Sequence, residues 1–300
     1  MKAGGSVVLV GLLAGAAVAI AVVPGATVPR AVAPPAEAAA ASGVSAGPGP
    51  AAPASVVPDP PAVSPAPPPE DPAPSAADVT AAAPDAKLGV VVYDRESAKT
   101  LADHRSTAKF TSASLVKLLI ALDALESGAA SPSTVERMIA RSDDEIASRL
   151  WSESGGGALV TRWAKRMQLA DTRPPEDPGR WGDTTTTAAD VARIYRYLLS
   201  RAPDASRAPI LRGLRATTPH GSDGFAQHFG IPDAAGTTPW AVKQGWACCR
   251  PKRQLHTTGL VGENDRYIVV VLSDHPESVG YATASKRVTE VVRALLPLLE

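Results

Sequence analysis

Hydrophobic positions along the chain switch between a strand period and a helix period, and the switches divide it into elements. Leu88 to Asp94 is a β-branched run bounded by turn formers, which predicts a strand, with a hairpin partner over Thr100 to His104. Behind it, Leu115, Val116, Leu118, Leu119, Ile120, Ala121 and Leu122 leave almost no polar face. A helix of that kind is central rather than superficial, and Gly128 marks its end. Ser131-Pro132-Ser133-Thr134 sets an N-cap before a proline at the first helical position and predicts a helix through Val135, Met138 and Ile139. That helix runs into Arg141-Ser142-Asp143-Asp144-Glu145. A further helix spans Ile146 to Trp151, and past Gly155 to Gly157 another runs through Leu159, Trp163 and Met167. Asp171 to Asp183 is rich in proline and charge and reads as a loop. Thr184 to Thr187 then cap a helix from Ala188 to Leu199, apolar at Val191, Ile194, Tyr195 and Leu198.

Toward the end the strand period returns. Trp240 to Trp246, Leu255 to Leu260 and Tyr267 to Leu272 predict a three-stranded meander. Val288, Val291, Val292, Leu295 and Leu296 form the stripe of a terminal helix lying on a sheet. The order of elements predicts an α/β (α+β) fold: an antiparallel sheet built from both ends of the domain, with flanking helices and an inserted all-α lobe.

Composition confines this domain to residues 86–300, long enough for one full core. Upstream, 17 of the 29 prolines lie between Pro24 and Pro84. Residues 31–85, chiefly Ala, Pro, Ser and Gly, cannot bury enough apolar surface to order themselves and read as a disordered, extended linker. Within it Gly43-Val44-Ser45-Ala46-Gly47 matches a nucleophile elbow, but without the strand and helix such a turn needs. Residues 1–30 contain an uncharged run of 17, Val7 to Val23, behind Lys2. That is short for a span and long for a signal core, so a cleaved signal peptide and an N-terminal membrane anchor both stand. Either one exports the domain. The first cysteine is Cys248, so no early cysteine is available for a lipid.

With 30 basic and 30 acidic residues and no block of like charge, nucleic acid is excluded as a partner. Cys248 and Cys249 are adjacent and cannot staple distant segments. Histidines 104, 220, 228, 256 and 275 lack ligand spacing and are expected to be surface or hydrogen-bonded structural residues; no metal and no cofactor is implied. A Ser-His-Asp hydrolase using His220 or His228 lacks its elbow in the folded region.

Candidate chemistry begins at Ser114 and Lys117, three residues apart and therefore neighbours on one helical face. Serine needs a base within hydrogen-bond reach to become a nucleophile. A lysine serves once burial or a second cation lowers its affinity for the proton. Two further patterns follow in order: Ser142-Asp143-Asp144 between helices, and Lys243-Gln244-Gly245 on a strand before the meander.

Together these resemble the Ser-x-x-Lys, Ser-Asp-Asn and Lys-Thr-Gly set of class A β-lactamases and penicillin-binding proteins, and Asp183-Thr184-Thr185-Thr186 looks like the segment that opens a helix in class A enzymes. The resemblance covers Leu88 to Glu300. It implies a β-lactamase/transpeptidase-like fold with Ser114 as nucleophile toward an amide or lactam carbonyl, Lys117 as base and Ser142 as proton relay. Lys243 would supply positive charge to a substrate carboxylate, and the backbone N–H groups of Ser114 and Trp246 an oxyanion hole. Asp144, Lys243, Gln244, Gly245 and Trp246 would line the substrate site.

Three departures qualify that picture. Asp144 stands where the family has asparagine, so an acceptor replaces an amide able to donate to a substrate carbonyl, and it can pair with Lys117. Gln244 replaces a small hydroxyl residue. The loop from Asp171 to Asp183 is short, and Glu176 is the candidate for the acid that activates the deacylating water. The expectation is an exported, monomeric serine hydrolase of the bacterial cell envelope, acting on a β-lactam or a peptidoglycan-type peptide. Its alternative is a catalytically degenerate envelope module that binds cell-wall peptide or a protein partner.

Overall fold

The structure, a computed structural model, describes residues 76–247 and 252–300. The segment 7–23, most of the linker and the cysteine pair lie outside them. Helix α1 (Ala76–Ala82) is followed by strands β1 (Lys87–Asp94), β2 (Lys99–His104) and the short β3 (Phe110–Thr111). A 3-10 turn (Ala113–Val116) leads into α2 (Lys117–Glu126), α3 (Pro132–Ala140), α4 (Asp144–Glu153) and α5 (Gly157–Met167). After β4 (Thr185–Thr186) come α6 (Ala188–Ser200), α7 (Asp204–Arg215) and the single turn α8 (Ile231–Ala234). Strands β5 (Trp240–Ala247), β6 (Lys252–Val261) and β7 (Tyr267–Pro276) and helix α9 (Tyr281–Leu295) complete the described chain.

Both ends of the domain meet in one sheet of order β2-β1-β7-β6-β5, antiparallel throughout. Because successive side chains on a strand face opposite ways, the valine-rich strands bury two faces. Val90, Val92, Val269 and Val271 pack with Val288, Val291, Val292 and Leu295 of α9. Val91, Ile268, Val270 and Leu272 belong to the larger core on the other face, with α2 and α6. Helix α2 is buried on nearly every side, as its uninterrupted apolar sequence requires, and is the central helix. Each such side chain removed from water contributes about 1.5–3 kcal/mol.

Two segments differ from the sequence reading. The linker ends earlier than Asp85, because α1 lies within it: Val79 and Ala83 are buried and pack in the α9 core. Composition alone does not register that pair of apolar positions four residues apart. Helix α7 occupies a stretch to which the pattern assigned no element. Pro209 lies inside it and its propensity is weak, but Ile210 and Leu214 are buried in the helical core, and α7 packs against α3.

Candidate active site

Threonines and backbone bonds fix the entry to the central helix. Strand β3 pairs with β4, and Ser112 N–H donates to Thr184 O at 2.7 Å. Ala113 then takes φ +46°, a left-handed conformation rare for a residue with a side chain, which turns the chain into the 3-10 turn. Ser114 therefore sits on a 3-10 turn rather than on the α-helix itself, and Lys117 is the first residue of α2. Across from them Gly245 of β5 leaves room for the turn: a Cβ there would lie 3.1 Å from Ser112 O and 3.2 Å from Leu115 Cγ.

Lys117 is fully buried and its Nζ donates to Ser114 Oγ at 2.9 Å, to Ser142 O at 2.8 Å and to Ser142 Oγ at 3.2 Å. It is also ion-paired with Asp144 Oδ1, as the sequence allowed. Ser142 joins α3 to α4 with φ +49°. Its neighbour Asp143 caps α4 by accepting from Ile146 N–H at 3.0 Å, so the capping duty falls on the aspartate and leaves the serine hydroxyl to the cleft. From the sheet, Lys243 Nζ donates to the same hydroxyl at 2.9 Å and to Gln244 O at 2.8 Å. Lys243 is held in turn through its own carbonyl, which accepts from Thr258 Oγ1 at 2.8 Å. Thr258 Oγ1 also meets Tyr195 OH at 2.9 Å, and burial raises the proton affinity of that phenol.

Burial is the largest influence on both lysines. It pushes the Lys117 ammonium below its usual range, against the opposing pull of Asp144. Lys243 goes well below, through burial first and then the charge of Lys117, with Asp144 and Asp223 opposing. A low affinity for the proton in two hydrogen-bonded lysines is what base chemistry at a serine requires.

Two residues that the sequence reading did not assign complete the walls. The indole of Trp181 lies over Lys117 Nζ at 4.6 Å and donates to Ser148 Oγ at 3.1 Å. Asp223, in the turn between α7 and α8, accepts from Trp246 Nε1 at 2.8 Å, and Phe225 stacks on that indole at 4.9 Å. Trp181 stands in the loop before the Thr184–Thr187 cap and Asp223 within the Gly-rich His220–Gly224 stretch, so no periodic pattern marks either one.

Gln244 and Glu176 are corrected as site residues. Side chains alternate along β5, so Gln244 turns to the face opposite Lys243. Its amide is buried and donates to Gln227 O at 3.0 Å and Phe229 O at 2.6 Å, which leaves it no N–H for a substrate. Glu176 is exposed on the wall of a neighbouring cleft of about 640 Å³, with Pro174, Arg180 and Lys252, and makes no hydrogen bond to Ser114 or Lys117. Ser114, Lys117, Ser142, Asp144 and Lys243 are brought together; Gly245 and Trp246 border them. His256 and His275 are buried and hydrogen-bonded, His228 donates or accepts at Thr217 O at 3.0 Å, and His220 is exposed.

A five-stranded antiparallel sheet with a helical lobe, and a serine and two lysines gathered where they meet, define the β-lactamase/transpeptidase-like class of fold. The chain belongs to the β-lactamase enzyme family, whose model matches residues 132–297. It is 40% identical over 229 residues to a candidate lipoprotein named LppW, in both Mycobacterium tuberculosis and Mycobacterium bovis, covering 72% of each chain. Among solved structures it resembles a β-lactamase from Burkholderia vietnamiensis (22% identity, TM-score 0.62, 74% of this chain and 94% of that one). It also resembles a point mutant of PBP-A solved as an acyl-enzyme complex with penicillin G (17% identity, TM-score 0.61, 74% and 93%). At these identities the structural likeness is one of fold.

Proposed function

We propose that the chain is an exported serine acyl-hydrolase in which Ser114 forms an acyl-enzyme with a β-lactam or a D-alanyl peptide amide. The observation that supports it is the hydrogen-bonded line from Ser114 Oγ through Lys117 Nζ and Ser142 Oγ to Lys243 Nζ. In its free-amine form Lys117 takes the hydroxyl proton as Ser114 Oγ bonds to the carbonyl carbon. The resulting oxyanion is received by the N–H groups of Ser114 and Trp246; Ser114 lies in a first helical turn, whose N–H groups have no carbonyl within the helix. Donors of this kind are worth about 2.7–4 kcal/mol each in the transition state. As the C–N bond breaks, Ser142 passes its proton to the leaving nitrogen and recovers one from Lys117. The proton lost by Ser114 thus ends on the amine, and the acyl group on Ser114.

Hydrolysis of that ester needs an activated water. With Glu176 on the wall of the neighbouring cleft and bonded to neither Ser114 nor Lys117, deacylation is slow and the adduct persists, the behaviour of a penicillin-binding protein rather than a fast β-lactamase. The name of its mycobacterial relative speaks for an envelope location. Here residues 7–23 would anchor or export the chain and the proline-rich linker would space the monomeric domain from the membrane. A second reading, a non-catalytic module that binds cell-wall peptide or a protein partner, is favoured by one observation: Asp144 sits on Lys117 and opposes loss of its proton.

Incubating the purified chain with a fluorescent penicillin and following intact mass separates the readings. A lasting adduct that Ser114→Ala abolishes establishes acylation with slow turnover. Penicillin loss without an adduct, also abolished by Ser114→Ala, makes it a β-lactamase. Neither adduct nor turnover selects the binding module.

A further inference from the structure

We infer that Asp144 selects acyl donors carrying a free, protonated amine beside the reacting carbonyl, an inference that rests on the serine acyl-hydrolase reading above. Where the resembling enzymes have an amide that donates, this position has a carboxylate that only accepts. Oδ1 of Asp144 holds Lys117, while Oδ2 has no hydrogen-bond partner among the described residues and the side chain is 58% exposed. Ser114 Oγ and Asp144 Oδ1 are hydrogen-bonded to the same lysine nitrogen, and two bonds of ordinary length put them at most ~6 Å apart. A substituent on the carbon next to the carbonyl that Ser114 attacks comes within reach of the carboxylate.

Charge is layered in the same sense. Lys117 and Lys243 are buried, whereas Asp144 and Asp223 are exposed. A cationic group entering meets the carboxylates before the lysines. An acylated nitrogen keeps one N–H for Asp144 but carries no charge, so it makes the weaker, singly charged bond where the ammonium makes an ion pair.

Binding of such a cation also acts on the base. Asp144 stabilises the charged form of Lys117, and a substrate ammonium on the same carboxylate competes for that stabilisation. The Lys117 proton then leaves by way of the exposed Asp144 carboxylate, and the lysine becomes the free amine that accepts the Ser114 proton. The substrate that fits Asp144 is the one that activates the lysine.

The test compares D-alanine p-nitroanilide with its N-acetyl counterpart on the full chain at pH 7, where an α-amino group titrating near ~7.7–8.0 is mostly protonated. Release of p-nitroaniline reads acylation. Wild type should favour the free amine by about tenfold or more in kcat/KM, the ratio one hydrogen bond to a charged group supports. Asp144→Asn should reverse the preference, and Asp144→Ala, which neither accepts nor donates, should erase it. A wild-type preference for the N-acetyl substrate, or an unchanged ratio in both variants, overturns the inference. Failure on both anilides with penicillin still labelling Ser114 rejects it and spares the hydrolase reading; failure on all three rejects both.

Discussion

Lys243 of β5 donates to Ser142 Oγ at 2.9 Å, a bond that joins the sheet to the helical lobe across 101 residues of chain. The same oxygen takes Lys117 at 3.2 Å, so both lone pairs of one hydroxyl are committed to buried lysine nitrogens and its proton is free to be given away. Ser142→Ala strips both lysines of that acceptor. Urea unfolding should show a loss of about 1–3 kcal/mol, and the rate of adduct formation at Ser114 should fall by about a hundredfold or more. Ser142→Gly should lose the same activity but less stability, because glycine accepts the φ of +49° without strain.

Gly245 lets β5 lie against the serine turn. In Gly245→Ala the new Cβ meets Ser112 O at 3.1 Å and Leu115 Cγ at 3.2 Å, and the first, a backbone oxygen, cannot retreat without moving the turn itself. Overpacking of this kind costs about 1–3 kcal/mol. The variant should unfold at lower urea and acylate more slowly, and the second effect should exceed the first, since both the nucleophile and the Trp246 N–H are displaced.

Acid should destabilise the sheet behind the site. His256 Nε2 meets Thr111 O at 2.9 Å and its Nδ1 accepts from Ser273 N–H at 3.1 Å, an arrangement open only to the neutral ring. Burial lowers its affinity for a proton, and burial together with Arg287 lowers that of His275 to about 4. Between pH ~6.5, where an unfolded histidine titrates, and pH ~4 the unfolded chain binds more protons than the folded one, so stability falls as pH falls. Melting temperature should drop through that interval, and His275→Gln should flatten the slope. A melting curve flat from pH 7 to 4 in wild type would refute this.

The sheet and most helices were legible in the sequence because their signals are local. Val90–Val92 and Ile268–Val271 are β-branched, Ser131 and Thr187 cap, and Val288 to Leu295 keep the helix period. Helix α7 was not, since Ile210 and Leu214 pack only once α3 is in place. At the site, the serines and lysines are found by spacing. The fate of Gln244 and Glu176 depends on which face of β5 a residue takes and how the loop is laid, and both are set by tertiary contacts. Trp181 is the extreme case, an aromatic in a loop with no pattern around it.

Removing that indole tests what it shields. Trp181 lies over Lys117 Nζ at 4.6 Å. A water able to attack the Ser114 ester must be activated by Lys117, the nearest group of suitable basicity, and the ring keeps solvent from that nitrogen. Trp181→Ala opens it. The half-life of the penicillin adduct, followed by intact mass, should shorten by about tenfold, a barrier change of ~1.4 kcal/mol. Trp181→Phe retains a ring face over the ammonium but loses the bond to Ser148 Oγ, so its adduct should decay nearly as slowly as that of wild type. Equal lifetimes in all three proteins would show that the indole does not govern deacylation, and a longer lifetime in Trp181→Ala would mean that the ring helps to position the water instead of excluding it.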